Sequence, residues 1–124
     1  MVDLKTGKTR WSLPLGIAKY AGPLGWSSYL PFRMGSPNLG GSLATAGGLI
    51  FIGATQDRQF RAIDISNGRE LWRTELPAIG GATPMTYRSS KTGRQYVVIA
   101  AGGHPGLPGP VGGNLIAYAL PATE

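Results

Sequence analysis

The apolar positions of this chain fall in short runs that predict β-strands rather than helices. Residues 47–54 form an apolar run bounded by glycines, which favours a buried strand, and residues 59–65 alternate apolar and polar side chains as a half-buried strand does. Residues 69–76 predict a third strand, and residues 84–88 predict a fourth after a pair of glycines. Four short antiparallel strands in about forty residues are typical of one blade of a β-propeller.

The strand pattern then restarts. Residues 95–101 match the run at 47–54, and residues 114–120 match the alternating strand, with Ala117 at the position of Ala62. An open stack of blades would leave sheet faces and edges uncovered, which indicates a piece of a larger ring. The sequence therefore predicts an all-β propeller fragment, divided into the end of one blade (1–17), an inserted loop (18–41), a complete blade (42–92) and a partial last blade (93–124).

A short motif occurs twice at the same internal spacing. Residues 3–11 and 64–72 each have Asp at the first position, Gly four residues later, a basic residue next and Trp at the end. Asp and Gly are typical of a tight turn, and the Trp lies on the strand that leaves it. We expect each indole to pack on a neighbouring blade and to donate its N–H to a main-chain carbonyl, in preference to stacking on a ligand.

Composition and charge change this picture little. The 20 glycines and 10 prolines oppose long helices, and the absence of cysteine excludes disulfides, thiolate metal sites and cysteine nucleophiles. No apolar run is long enough to span a membrane, and residues after Met1 lack the pattern of a signal peptide. The net charge of +6 comes from basic residues scattered along the sequence, which opposes nucleic-acid binding and favours a dispersed, solvated basic surface.

Several segments together resemble one enzyme family. They are the two Asp-to-Trp motifs and residues 35–41, 46–55, 82–86 and 100–104. They resemble the C-terminal end of the pyrroloquinoline quinone (PQQ) dehydrogenases of the glucose, quinate and shikimate group, over nearly the whole chain. The resemblance implies an eight-bladed propeller that holds PQQ and a divalent cation, Ca²⁺ or Mg²⁺. It also implies oxidation of a sugar or polyol, with glucose favoured, and electron transfer to ubiquinone through a membrane anchor at the periplasmic face of the bacterial inner membrane.

The resemblance singles out two side chains in loops that follow apolar strands. Asp57 matches a position near PQQ or its cation, although an Asp that caps an ordinary turn explains it equally well. His104, the single histidine, matches a position in the substrate and quinone pocket, although a lone exposed histidine is commonly incidental. By the repeat, the loops that carry Asp57 and His104 should emerge on the same face of the ring.

A third segment resembles the stretch that holds the PQQ carboxylates. Asn38 would contribute its side chain and Leu39 its main chain, since many related alcohol-oxidising enzymes have Trp at the position of Leu39. The alternative is a glycine-rich turn between blades. No residue of this chain is assigned as catalytic or as a metal ligand. The general base, the cation ligands and a lysine facing the quinone belong, by resemblance, to other blades, and we therefore expect the isolated chain to be inactive.

Two readings from other classes stay open. One is a non-enzymatic propeller scaffold that mediates protein interactions, which would have no reason to carry the Asn38 segment and the His104 loop. The other is a basic module that binds acidic surfaces, which salt-resistant retention on heparin or DNA would reveal. Within the enzyme reading, the sequence does not distinguish glucose from quinate or shikimate.

Overall fold

A computed structural model describes residues 1–17 and 35–120. Most of the inserted loop predicted at 18–41 and the last four residues lie outside this part. The described residues form seven strands: β1 (Ser42–Ala44), β2 (Leu49–Ile52), β3 (Gln59–Asp64), β4 (Glu70–Glu75), β5 (Met85–Arg88), β6 (Gln95–Ala101) and β7 (Asn114–Ala119). The predicted all-β class is confirmed. No helix in the described ranges is long and apolar enough to cross a membrane.

The strands form two antiparallel sheets in chain order. The first contains β1, β2, β3 and β4, and the second contains β5, β6 and β7. Assignment of residues 84–88 to the first blade is wrong, because Met85–Arg88 pairs with β6. The first sheet instead takes its fourth strand from β1, whose three residues are too few to show an apolar pattern.

The chain leaves the first sheet through a buried connection. Leu76 and Ile79 are fully buried, and Leu76 belongs to the same core cluster as Ile99 of β6. A Cβ at Gly80 would lie 2.7 Å from Ile99 Cδ1, so this connection can approach β6 because Gly80 has no side chain. The buried segment carries the chain directly to the second sheet.

The core lies between the two sheets. Phe60, in the middle of the cluster, is completely buried. Its ring centroid lies 5.9 Å from that of Phe51 on β2, 6.0 Å from that of Trp72 on β4 and 5.6 Å from that of Tyr118 on β7. Because side chains alternate along a strand, the neighbouring Arg61 points to the opposite face of the first sheet.

Each motif tryptophan packs on the next structural unit. Trp11 donates its indole N–H to the Ile65 carbonyl over 2.9 Å. A Cβ at Gly68 would lie 2.8 Å from the Trp11 ring, so the indole rests directly on the turn of the second motif. Trp72 contacts Tyr118 of the second sheet edge to face, with ring centroids 5.3 Å apart. Both indoles pack between units, but within residues 1–17 and 35–120 the predicted hydrogen bond to a main-chain carbonyl is seen for Trp11 and not for Trp72.

Replacing Gly68 with Ala tests the Trp11 contact. Gly68 has φ of 76°, and its missing Cβ makes room for the indole, so G68A should lower the free energy of unfolding by about 2 to 4 kcal/mol. Gly93 is the matched control, because its φ is 68° and no atom lies within 4 Å of its Cβ position. G93A should cost about 1 kcal/mol, from the left-handed backbone alone. If G68A and G93A lower the free energy of unfolding in urea by the same amount, the packing of Trp11 on Gly68 does not contribute to stability.

Candidate functional site

Four loops gather at one end of the two sheets, here called the loop end: residues 35–41, 53–58, 76–84 and 102–113. The strand registers place them together, because Ser42 pairs with Ile52 and Gln59 pairs with Glu75 in the first sheet. In the second sheet Ala101 pairs with Asn114. Gly103 N–H also donates to the Ile79 carbonyl over 3.0 Å, which ties the last two loops to each other.

Leu39 and His104 meet across Gly81. A Cβ at Gly81 would lie 3.3 Å from the Leu39 carbonyl oxygen and 3.5 Å from His104 Cδ2. A Cβ at Gly106 would lie 3.4 Å from the imidazole and 3.7 Å from Leu39 Cδ1. Leu39 N–H donates to the Ala54 carbonyl over 3.4 Å, which holds this segment beside the loop that follows β2. Leu39, Gly81, His104 and Gly106 form what we call the His104 cluster.

The His104 ring is oriented by its own loop. Gly106 N–H donates to Nδ1 over 3.0 Å, and Leu107 N–H donates to the His104 carbonyl over 3.1 Å. Leu107 is buried, which anchors this turn. Because Nδ1 accepts a hydrogen bond, the neutral imidazole carries its proton on Nε2. The half-buried ring therefore presents one N–H donor for an oxygen of a ligand.

Asp57 also emerges at the loop end, but its carboxylate turns into the first sheet. Arg61 donates to both carboxylate oxygens, Thr55 donates its hydroxyl, and Gln59 N–H donates to Oδ1 over 3.1 Å. The side chains of Asp57 and Arg61 are 8% and 6% exposed. The contact with Gln59 N–H is that of an Asp capping a turn. The structure thus brings Leu39 and His104 together and holds the Asp57 carboxylate in a buried ion pair.

The ion pair lowers the pKa of Asp57. Burial by itself would raise this pKa, but the hydrogen bonds from Arg61 and Thr55 and the positive charge of Arg61 outweigh burial. The carboxylate is therefore ionised at neutral pH. It holds the loop that contains Arg58, whose φ of 59° is unusual for a residue with a side chain.

Arg61 is the important side chain that the sequence analysis missed. It is 5% exposed and also donates to the Thr55 hydroxyl over 2.8 Å and to Glu70 Oε2 over 3.1 Å. A basic residue in an alternating strand suggests a solvent-facing position. Here residues 13–17 lie over that face and, with Arg61, Glu70 and Arg73, line a small cleft away from His104.

Comparison with known proteins gives the context for this arrangement. Residues 1–97 match the family described as "PQQ: Glucose/ethanol/alcohol dehydrogenase, beta-propeller domain". The chain belongs to this family of PQQ-dependent dehydrogenases. The two sheets are accordingly parts of a propeller domain, although a closed ring is not seen in the described residues.

Three relatives are similar over nearly the whole chain. The glycerol dehydrogenase large subunit of Gluconobacter thailandicus is 50% identical over 97% of this chain. The quinate/shikimate dehydrogenase (quinone) of Acinetobacter baylyi is 48% identical over 96%, and the quinoprotein glucose dehydrogenase of Escherichia coli is 47% identical over 97%. The chain spans 16%, 15% and 15% of the lengths of these relatives.

A solved structure supports the same fold. The europium-containing methanol dehydrogenase superimposes on 54% of this chain with a TM-score of 0.51 and 37% sequence identity, and the matched part is 11% of that chain. This likeness and the family match agree on a propeller fragment.

The loop end of this PQQ dehydrogenase fragment fits part of a site for a planar, anionic quinone. Gly40 allows three of these loops to pack closely, because a Cβ there would lie 2.8 Å from both Ala54 Cβ and the Gly81 carbonyl oxygen. His104 offers a donor, and Asn38 is exposed beside Leu39. Arg58 and Arg61 at this end are paired with Glu75 and Asp57. The part of the chain described here contains no group of three potential metal-ligating side chains.

Asp57→Asn should make the protein less stable at neutral pH and less sensitive to acid. The pKa of Asp57 is lower in the folded protein than the ordinary value of 3.8, so the ion pair stabilises the fold above that value, and this contribution is lost as pH falls through the folded pKa. We expect D57N to lose about 2 to 4 kcal/mol of unfolding free energy at pH 7, because Arg61 loses its buried partner and keeps only the less buried Glu70. The difference in unfolding free energy between D57N and the parent protein should become smaller below pH 4.

Asp64→Asn provides the control. Asp64 is also a turn carboxylate with a lowered pKa, caused by hydrogen bonds from Ser66 and Asn67, but it is exposed to solvent. D64N should be clearly less destabilising than D57N in urea unfolding at pH 7, and the two variants should converge as the pH falls towards 3. A D57N protein as stable as D64N at pH 7 would contradict a stabilising Asp57–Arg61 pair.

Proposed function

We propose that this chain forms part of the cofactor pocket of a PQQ-dependent dehydrogenase that oxidises a sugar or polyol. The observation that carries the proposal is the meeting of Leu39 and His104 across Gly81. These residues come from loops before β1 and after β6, so two different sheets contribute to one glycine-lined wall. Loops at the strand ends of a rigid scaffold are where binding sites are commonly built.

Each residue of this wall has a distinct task in the proposal. The His104 Nε2–H donates to an oxygen of the bound quinone or substrate. The Asn38 side chain contacts a carboxylate of PQQ, and the Leu39 N–H would join it by exchanging its long bond to the Ala54 carbonyl for one to the ligand. Asp57 does not reach the ligand in this proposal but fixes the loop of residues 53–58 through Arg61 and Thr55, beside the Ala54 carbonyl that binds Leu39.

The chemistry divides between the cofactor and the protein. PQQ, when bound, would supply the oxidant that takes the C–H hydrogen together with two electrons as the alcohol carbon becomes a carbonyl. The protein binds and orients both partners, and a base must take the hydroxyl proton. We place that base and the ligands of the Ca²⁺ or Mg²⁺ ion in other blades of the longer protein. This chain therefore positions the reactants without completing the reaction.

We further propose glucose as substrate, ubiquinone as electron acceptor and a membrane anchor at the periplasmic face of the bacterial inner membrane. The name of the Escherichia coli relative supports glucose. The relatives named for glycerol and quinate are 50% and 48% identical, against 47% for that glucose dehydrogenase, so sequence identity does not rank the substrates. Each substrate has to be assayed side by side.

In the full-length protein, His104→Ala should weaken PQQ binding by about 10- to 100-fold, because one hydrogen bond to a charged ligand contributes about 1.5 to 3 kcal/mol. The dissociation constant is measured directly by titrating the apoprotein with PQQ in excess divalent cation and following tryptophan fluorescence. H104Q, which retains an N–H donor, should recover part of the affinity.

Ser90→Ala, in the exposed hairpin at the opposite end of the second sheet, should leave PQQ affinity unchanged. If H104A binds PQQ as tightly as the parent, His104 is not in the cofactor pocket. Absence of PQQ binding by the parent protein would instead favour the non-enzymatic scaffold.

The isolated 124-residue chain should show no turnover. Purified chain is supplied with PQQ, Ca²⁺ or Mg²⁺ and an artificial electron acceptor, and glucose, quinate and glycerol are assayed in parallel. The full-length protein under the same conditions serves as the positive control and identifies the preferred substrate. Robust oxidation by the isolated chain would place a complete catalytic apparatus within these residues, contrary to the proposal.

A further inference from the structure

The sequence contains a single Asn-Gly pair, Asn67–Gly68, in the turn between β3 and β4. This turn lies at the end of the first sheet opposite the loop end. Asn-Gly pairs are prone to spontaneous deamidation, because glycine has no Cβ to keep its main-chain nitrogen away from the asparagine side chain. Asn67 is exposed, so water reaches its amide. The chemistry of this pair is not used by the candidate cofactor pocket.

Deamidation of Asn67 needs only the turn itself and water. The Gly68 main-chain nitrogen attacks the carbonyl carbon of the Asn67 side chain, and a new C–N bond closes a cyclic succinimide. The bond from this carbon to Nδ2 breaks, and ammonia leaves with the proton that the Gly68 nitrogen gives up. Water then opens the ring at either carbonyl. Opening at one gives aspartate, and opening at the other gives isoaspartate, whose main chain is longer by one methylene.

The folded turn keeps both reacting groups occupied. The Gly68 N–H donates to the Asp64 carbonyl over 2.9 Å. The Asn67 amide is held at both atoms, because Oδ1 accepts from the Arg69 N–H over 2.8 Å and Nδ2 donates to Asp64 Oδ2 over 3.1 Å. Attack requires a free Gly68 nitrogen and a rotated Asn67 amide. The turn therefore has to open before the succinimide forms.

Trp11 covers this turn and opposes its opening. A Cβ at Gly68 would lie 2.8 Å from two atoms of the Trp11 ring and 3.2 Å from Leu13 Cδ2, so both side chains rest on the glycine. Trp11 also donates its indole N–H to the Ile65 carbonyl in the same turn. Local opening of a segment depends on the contacts that hold it closed. Loss of the Trp11 contact therefore increases the fraction of open turns.

The first Asp-to-Trp motif shows that the turn does not require asparagine. Thr6 stands there at the position of Asn67. The Gly7 N–H donates to the Asp3 carbonyl over 2.8 Å, as the corresponding glycine does in the second motif, and the Lys8 N–H donates to Thr6 Oγ1 over 3.4 Å. Threonine has no side-chain amide to lose as ammonia. The same turn therefore forms in the first motif without the reactive group.

We propose that Asn67 is a site of spontaneous deamidation whose rate is controlled by the docking of Trp11 on Gly68. Both products remove the amide donor to Asp64 and place another carboxylate beside it, which weakens the turn. The longer main chain of isoaspartate also shifts Gly68 from its place under the indole. Deamidation therefore makes undocking of Trp11 permanent. This inference does not depend on PQQ binding, because it rests on contacts at the opposite end of the sheets.

Peptide mapping of the full-length protein during incubation at mildly alkaline pH tests the proposal. Trypsin releases the peptide Ala62–Arg69, and mass spectrometry after chromatography separates its Asn67, aspartate and isoaspartate forms. We expect deamidation in the native protein to be at least about tenfold slower than in the same protein unfolded in urea, because the turn must open first. W11A should accelerate deamidation of the native protein at least about fivefold, since lost packing favours the open turn.

Y118A is the matched control for W11A, because it removes a packed aromatic ring that lies between the sheets and away from the turn. Its rate should stay close to that of the parent, and circular dichroism shows whether each variant is folded. L13A, which removes the other side chain resting on Gly68, replaces W11A if that variant does not fold. Equal acceleration by W11A or L13A and by Y118A would overturn the proposal, since general destabilisation would then explain the rate.

N67T carries the residue of the first motif and tests the consequence of the reaction. Its midpoint of urea unfolding should stay constant during incubation, whereas the midpoint of the parent should fall as the modified fraction rises. A parent protein that deamidates without losing stability would show that the modification does not affect docking. Deamidation as fast in the native protein as in urea, or none in either, would contradict control of the reaction by the folded turn.

Discussion

The packing of two sheets around Phe60 is the constraint on which the other features depend. A sheet must bury its apolar face, and each of these small sheets finds that cover in the other. Phe60 contacts the ring of Phe51 in its own sheet and the ring of Tyr118 in the other sheet. Burial between the sheets raises the pKa of Tyr118, which disfavours ionisation of its phenol. Leu39 is attached to the first sheet and His104 to the second. Their distance is therefore determined by how the sheets pack.

Glycine allows the sheets to approach closely beside the candidate site. A Cβ at Gly53 would lie 2.6 Å from Ile99 Cδ1, and a Cβ at Gly80 would lie 2.7 Å from the same atom. Ile99 thus occupies the space left by two glycines, one after β2 and one before β5. A side chain at either position would push Ile99, and with it β6 and the His104 loop, away from the first sheet. Some of the many glycines are therefore needed for the packing of Ile99 between the sheets, in addition to those that the turns require.

Periodicity in the sequence was enough to locate β2, β3, β4, β6 and β7, because each carries an apolar run or a clear alternation. It did not reveal the partner of a short strand. Met85–Arg88 follows β4 in the chain, but the buried connection through Leu76 and Ile79 takes it to the other sheet. Strand pairing depends on which faces are covered, and a local pattern does not contain that information.

The repeat located the loop end but not the direction of every side chain. It predicted correctly that the loops of Asp57 and His104 share one end of the sheets. The orientation of the Asp57 carboxylate depends on Arg61, which residues 13–17 cover. This cover comes from a segment about 45 residues earlier in the chain. An alternating strand gives no sign that its polar face will be buried in this way.

The distribution of charge follows from the same antiparallel architecture. In consecutive antiparallel strands every second connection falls at the same end, so lysines far apart in sequence become neighbours. At the other end the guanidinium groups of Arg58 and Arg61 are already held by carboxylates. Within residues 35–120, an anionic ligand at the His104 cluster would therefore meet the imidazole and the Asn38 amide before any unpaired guanidinium of this end. Such donors select a ligand by the positions of its oxygen atoms, which long-range attraction to a lysine would not do.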